Sequence, residues 1–498
     1  MTSYLRRLVR ALAAYQVADI ISKPIAVFLL PVYTRYINPA GYGTVELLGN
    51  GVIFISILVR FGMIEAFLRY YFTDTDQARR DALVRRAVVF MLVVSTLVSI
   101  PLVAAAGPLS KLVLSHRDPA IFRVSVLGLW AFTNLELAYG LLRVDERVRA
   151  YTVASVTNVL LTVAASVVLV VGLGRGAQGL LLGNYAVSTV VLFGLWWTLR
   201  QRLLPSRAER VVGARRVERL GAMLRFGLPT VPAEASVYAL SIVDRYYIYH
   251  DRSPALAGLY SIAVKLAAGV TFIVRAFQYA WPPLAYSVTD DAEASRLYAL
   301  VTTYYVLVGG WVVAALTLLG RWVVRVLAAH SYFGAYKALP WVALGWALYG
   351  LWVIFLVIAG RAQVTTRNFP AALAGLAANV ILLVALVPKL GIAGAGIALS
   401  GAYVVMLGAM HLLTRRAFRV GFEWGRLLQV VGIMGAVAVG GELLLPSHGA
   451  VGLLSRAAAT AAIPVILWLT GFVRPQERER IGSLVARATR RGAAGEPA

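Results

Sequence analysis

The sequence predicts an all-α integral membrane protein of about fourteen transmembrane helices, and three observations carry that expectation. The 498 residues are 60% hydrophobic and only 14% charged, with a mean hydropathy of +0.75. The apolar residues gather in runs of about 20, the length with which a helix crosses a hydrocarbon core of about 30 Å. The 48 Lys and Arg outnumber the 23 Asp and Glu and lie mostly between those runs. That placement orients helices in a membrane, whereas a nucleic-acid binder would carry its basic residues on one folded face.

The runs lie near 11–33, 43–63, 87–107, 121–142, 152–173, 178–198, 229–249, 258–280, 300–319, 339–360, 370–388, 392–413, 427–445 and 452–472. Only helices and closed barrels satisfy every backbone N–H and C=O in lipid, and these runs are too long and too uniformly apolar for barrel strands. The basic, amphipathic start (residues 1–10) has no small-residue cleavage site and is expected to lead straight into the first span. An even number of spans puts both termini on one side. Lys and Arg concentrate in the connections on that side, above all Arg200–Arg225 and the tail Arg474–Arg491, so both termini are expected to be cytoplasmic. The acidic stretch Thr289-Asp-Asp-Ala-Glu293 dissents, but acidic residues weigh little in this rule.

With no cysteine, disulfides, thiolate metal sites and cysteine nucleophiles are excluded, and the five histidines have no ligand spacing. No metal, cofactor or catalytic residue is expected. The external connections are short, which leaves little room for a catalytic domain.

The halves of the chain resemble each other. Arg149-Ala-Tyr-Thr-Val-Ala-Ser-Val-Thr-Asn158 aligns with the run from Arg367 to Asn379, and each is followed by a Gly/Ala-rich hairpin, 174–179 and 391–396. Those hairpins read as tight turns, since no strand precedes them as it would a phosphate loop. Tyr185 then matches Tyr403. Gly43 opens span 2 as Gly258 opens span 8, so Asn50 falls on Lys265 and Arg60 on Arg275. Six spans per repeat imply a pseudo-twofold axis along the membrane normal and a cavity between two lobes. The expected division is an N-terminal segment 1–10, an N-lobe 11–199, a basic cytoplasmic linker 200–228, a C-lobe 229–414, two further spans within 415–473 and a basic tail 474–498. Pro24, Pro31, Pro229 and Pro232 interrupt the first helix of each lobe or its start, where proline permits bending.

The string Thr34-Arg-Tyr-Ile-Asn-Pro-Ala-Gly-Tyr-Gly43, and Asn379-Val-Ile-Leu-Leu followed by Val387-Pro-Lys-Leu-Gly-Ile-Ala-Gly-Ala-Gly-Ile-Ala398, resemble the motifs of bacterial polysaccharide-biosynthesis flippases of the O-antigen-flippase type. These belong to the multidrug/oligosaccharidyl-lipid/polysaccharide exporter superfamily, and the resemblance covers nearly the whole chain. It implies a V-shaped, two-lobed bundle in a bacterial inner membrane that works by alternating access. It also implies a polyprenyl-pyrophosphate-linked oligosaccharide as cargo, with glycosyltransferases and a polymerase as candidate partners beside the membrane lipids. Nucleic acid is not an expected partner.

Ionisable groups inside spans are costly and are functional candidates for that reason. Span 1 has Asp19 and Lys23 on one helical face. Span 2 has Glu46 and Asn50, with Arg60 nearer the cytoplasm. Span 7 has Glu234 and ends in Asp244-Arg245, and span 8 carries Ser261, Lys265 and Arg275. The cargo that the resemblance implies assigns Lys23, Asn50, Arg60, Lys265 and Arg275 to substrate binding, because Lys and Arg give charge-assisted hydrogen bonds to a pyrophosphate. Asp19, Glu46, Glu234 and Asp244 are expected to balance those cations and to couple transport to an ion gradient, since buried carboxylates take up protons more readily. Snorkelling to head groups is the competing account of Arg60 and Arg275, static pairing that of Asp19 and Lys23, and helix-end anchoring that of Arg35 and Arg245.

Three other functions are weighed against this one. A multidrug exporter of the same superfamily handles cationic drugs, which a cavity of Lys and Arg would repel. A membrane glycosyltransferase or polysaccharide polymerase needs external carboxylates, and the external connections offer Asp118 and Asp251 and little else. A scramblase needs neither the repeat nor the buried charges.

Overall fold

The computed structural model describes residues 25, 27–73, 76–204 and 220–474, and their regular structure is all helical, with no strand among them. Among the described residues twelve helices are long and apolar enough to cross a membrane, thirteen if the bent pair Leu220–Leu240 and Ile242–Asp251 counts as one span. Each coincides with an expected span. The first expected span, 11–33, lies outside the described residues except at its end.

In chain order, α1 (Leu30–Tyr36) leads to α2 (Pro39–Val59), α3 (Met63–Thr73), α4 (Gln77–Ala104) and α5 (Ala106–Leu114). Then come α6 (Pro119–Val144), α7 (Val148–Val167, continued by a π turn at Val168–Gly172), α8 (Gly176–Thr198) and α9 (Arg200–Leu203). After the linker come α10 (Leu220–Gly227), α11 (Val231–Asp251), α12 (Pro254–Ser287), α13 (Asp291–Leu327), α14 (Leu339–Arg361), α15 (Asn368–Leu390), α16 (Ile392–Thr414), α17 (Trp424–Leu444) and α18 (Gly449–Leu469).

The helix starts follow local chemistry. Asn38 Oδ1 accepts from Gly41 N at 2.7 Å with Pro39 as the first helical residue, and Asp118 Oδ1 accepts from Ile121 N at 3.1 Å ahead of Pro119. A polar cap satisfies an otherwise orphaned N–H, and proline at the first position loses none. Between α15 and α16 the whole turn is Gly391, at φ +59°, a conformation that other residues adopt only with strain. At Pro229 a 3₁₀ turn, Leu228–Thr230, separates α10 from α11, whereas the 54° turn of the axis falls further on, between Leu240 and Ile242, away from both prolines.

The chain forms two compact units. The first comprises Met1–Leu266, Val324–Ala338 and Ala372–Ala402; the second comprises Ala267–Val323, Leu339–Ala371 and Tyr403–Ala498. Their boundaries cut through α12, α13, α15 and α16, whereas the sequence repeat divides the chain between 199 and 229.

Within the first unit, α2 and α6 bury 56% of their apolar windows, against 17% for α4 and α7. Val89, Leu97 and Ile100 on α4 point outward and are 58–62% exposed, the pattern of a lipid-facing helix. Its interior is a cluster around Met63, Phe67, Met91, Leu141 and Leu192. The short helices α3 and α10 are additions to the expected layout. They meet at Gly62 and Gly227, where a Cβ on either would come within about 2 Å of the other's carbonyl oxygen (2.0 and 2.2 Å), so both must be glycine. Arg202 of α9 binds Asp81 of α4 at 2.6 Å and Asp145 at the end of α6, tying the three together.

In the second unit, Val430, Met434, Ile463 and Leu467 pack α17 and α18 onto Ala314 of α13. The fully buried Arg456 is held there by four hydrogen bonds: it donates to Glu442 and to the carbonyls of Pro446 (3.1 Å), Leu318 and Leu445 (both 3.3 Å). A buried charge paired and bonded to three backbone carbonyls holds these helices together.

Candidate functional site

The site is built on the crossing of α2 and α12. Gly43 and Gly258 pack backbone to backbone: a Cβ on Gly43 would lie 2.0 Å from Pro254 O, and a Cβ on Gly258 2.0 Å from Pro39 O. Each helix begins Pro-Ala-x-x-Gly, and each glycine meets the other helix's proline carbonyl. The contact is reciprocal, as expected when two copies of one motif meet across a pseudo-twofold axis. Glycine lets the backbones approach this closely, the usual device for joining helices in lipid.

The close approach sets the neighbours further along. One turn beyond Gly43, Glu46 Oε1 lies 2.6 Å from Lys265 Nζ of α12. Lys265 also donates to Tyr42 Oη at 2.7 Å and sits over the Tyr42 ring, 4.9 Å from its centre. Asn50 Nδ2 donates to the Glu46 backbone carbonyl at 2.7 Å, and its Oδ1 accepts from Tyr238 Oη at 3.1 Å. The file Tyr42, Lys265, Glu46, Asn50 and Tyr238 thus runs down one side of α2. It borders a cavity of about 570 Å³ whose wall also includes Glu136, Asn158, Asn184 and Tyr185. The Glu46 side chain is 12% exposed and that of Lys265 37%, so the ammonium is the more open member of the pair.

The repeat assigns Ser261 to the place of Glu46 and Asn50 to that of Lys265. The ion pair is therefore asymmetric, with its acid from the first repeat and its base from the second.

The other candidates fall in three places. Arg60 donates to Glu234 Oε1 at 2.8 Å, close to the Gly62–Gly227 contact. Asp244, 2% exposed, accepts from Tyr260 Oη at 2.7 Å through Oδ2. Its Oδ1, both side-chain polar atoms of Asn379, and Ser261 Oγ are buried without a hydrogen-bond partner among the described residues. Asn379 lies beside Asp244 but outside hydrogen-bond geometry. Orphaned acceptors in a dry interior are rare and call for a partner. Arg275 is exposed and lies in the second compact unit, ten residues beyond Lys265 on α12. Asp19 and Lys23 lie outside the described residues. Arg245, which the sequence offers as an end anchor, is only 8% exposed and is electrostatically coupled to Glu46.

Sequence reasoning missed Tyr42 and Tyr238, which carry hydrogen bonds in the file, and the cavity-lining Asn184. It matched Asn158 with Asn379 without giving either a role, and both bury an unsatisfied Oδ1. No group of three His, Cys, Asp or Glu able to hold a metal occurs among the described residues.

Comparison with known proteins was made on sequence and on fold. The family described as "Polysaccharide biosynthesis protein" matches residues 8–287, more than half of the chain. No curated protein matches the sequence. The fold is similar to that of the lipid II flippase MurJ in an inward closed conformation, with a TM-score of 0.71 at 12% identity over 94% of this chain and 99% of that one. It is also similar to an inward-facing multidrug resistance MATE family transporter of the MOP superfamily, with a TM-score of 0.62 at 14% identity over 84% of this chain and 96% of that one. A Vibrio cholerae MATE transporter in the bent form gives 0.51 at 12% identity over 82% and 94%. On its sequence match and its helical architecture together, the chain belongs to the polysaccharide biosynthesis protein family and has the fold shared by MurJ and the MATE transporters, a multi-pass membrane protein.

Proposed function

We propose that the protein flips a polyprenyl-pyrophosphate-linked oligosaccharide, of the O-antigen or polysaccharide repeat-unit kind, from the cytoplasmic to the outer face of a bacterial inner membrane. The observation that carries this reading is the Lys265 ammonium, held by Glu46 and Tyr42 at the wall of a largely apolar cavity that also presents Asn50, Asn158 and Asn184. The family's link to polysaccharide synthesis and the flippase among its structural neighbours support the choice of cargo.

In the resting arrangement Glu46 occupies Lys265. A pyrophosphate brings more charge and more acceptor oxygens than one carboxylate, so it competes for the ammonium. The amides of Asn50, Asn158 and Asn184 and the phenols nearby suit sugar hydroxyls, which both donate and accept. Lys23, Arg60 and Arg275 remain further candidates for the head group, with Arg60 released when its pair with Glu234 opens. Asp19, Glu234 and Asp244 remain candidates for charge balance. Asp244 and the neighbouring Asn379 suit a coupling cation or proton, because they offer buried oxygen acceptors that the described protein leaves unsatisfied. The two glycine contacts, Gly43–Gly258 and Gly62–Gly227, lie at opposite ends of α2, and alternating access would part each in turn. A cationic drug as cargo gains no support from an accessible lysine.

The test is glycan export in cells. Lys265→Met is expected to lower surface glycan more than about tenfold at unchanged protein level, as an intramembrane group removed from its ligand should. Lys23→Ala is held to the same expectation. Normal export from the Lys265 variant would remove the reading.

A further inference from the structure

The second compact unit carries a recess of about 450 Å³ where α14 and α16 end, beside the connection from Arg415 to Phe422. Phe355, Phe418 and Phe422 form its aromatic wall and Arg415, Arg416 and Arg419 its polar edge. The connection is pinned in shape. Ser295 Oγ donates to Arg419 O at 3.0 Å and accepts from Gly421 N at 3.1 Å, while Phe418 N donates to Thr414 O at 3.0 Å.

The three arginines differ from their neighbours. Arg361 is bound by Asp291 at 2.7 Å, and Arg426 and Arg474 are bound by Glu423 at 2.9 and 2.7 Å. Arg415, Arg416 and Arg419 are exposed, and their guanidinium groups form no ion pair with a described residue. The carboxylates of Asp291 and Glu423 are each held by another arginine, so none of the ion pairs among the described residues neutralises the three arginines that line this aromatic recess. Trp424 and Leu412 beside it are 58% and 57% exposed, and exposed tryptophan at a span end is characteristic of the head-group level.

We infer that this recess binds the headgroup of an anionic phospholipid, its phosphodiester bridged by Arg415, Arg416 and Arg419 and its glycerol and first methylenes resting on Phe355, Phe418 and Phe422. Arginine gives bidentate hydrogen bonds to phosphate, and basic pockets at a membrane surface draw anionic lipids from a mixed bilayer. A soluble phosphate compound would have no use for the aromatic wall. The assignment is independent of the cargo proposed above, because it uses none of the residues of the Lys265 cavity.

The experiment uses the purified full-length chain in nanodiscs of phosphatidylcholine doped with phosphatidylglycerol, with retained lipid read by native mass spectrometry. The parent is expected to retain phosphatidylglycerol over phosphatidylcholine. The triple variant Arg415→Gln, Arg416→Gln, Arg419→Gln is expected to lose that preference by about ten- to a hundredfold. The triple Arg→Lys variant keeps the charge and is expected to retain most of the preference, which separates lost charge from lost fold. Equal retention by the parent and the Gln variant overturns the inference. So does tighter binding of farnesyl diphosphate through the same three arginines, which would assign the recess to a prenyl diphosphate.

Discussion

Lys265 and Glu46 have two separable duties, holding α2 to α12 and presenting a charge to the cavity. Removing one partner leaves the other buried and uncompensated, while replacing both removes the penalty. Glu46→Gln or Lys265→Met alone is expected to cost about 1–3 kcal/mol, less than a fully buried pair because Lys265 is 37% exposed. The double variant is expected to return near parental stability and still fail in transport. Thermal unfolding of the four proteins of the cycle in detergent checks this; additive losses in the double variant would mean that the two side chains do not work as a pair. The sequence made Glu46, Asn50 and Lys265 visible as polar groups at membrane depth, and the repeat put them in register. It did not disclose that Lys265 faces Glu46 of the other repeat, because pattern within one helix carries no information about which residue of another helix stands opposite. Tyr42 and Tyr238 escaped for a related reason: a tyrosine reads as one more apolar residue of its span until its hydroxyl's partner on another helix is seen.

The spans themselves were the most legible elements, because twenty apolar residues admit few structures in lipid. The helices α3 and α10 were not, since Met63–Thr73 and Leu220–Gly227 are short and amphipathic and carry arginine, and so read as connections. The repeat pointed to Gly43 and Gly258 as equivalents but not as neighbours. Their reciprocal contact makes a specific demand. Gly43→Ala and Gly258→Ala each force the same two backbones apart, so each alone is expected to disrupt the crossing and lower transport by about tenfold or more. Combining them should add little, because the second methyl enters a contact already opened. Export from the two single variants and the double variant at matched protein level measures this, and strictly multiplicative losses would show that the two glycines act at separate places.

For the molecule as a whole, the central claim is that an anionic head group takes Lys265 from Glu46 and that an ion gradient, read at Asp244, drives the exchange. Asp244→Asn keeps the shape of the buried cluster and removes its charge. It is expected to abolish the response of transport to an imposed ion gradient while leaving slow downhill movement intact, whereas Lys265→Met removes both. The measurement that bears on the claim most directly is flipping of a fluorescent polyprenyl-pyrophosphate-linked oligosaccharide in proteoliposomes, with and without a proton or sodium gradient. The account predicts gradient-stimulated flipping by the parent chain and none by Lys265→Met. Undiminished flipping by Lys265→Met, or a parent chain that moves the cargo no faster than protein-free liposomes, would contradict it.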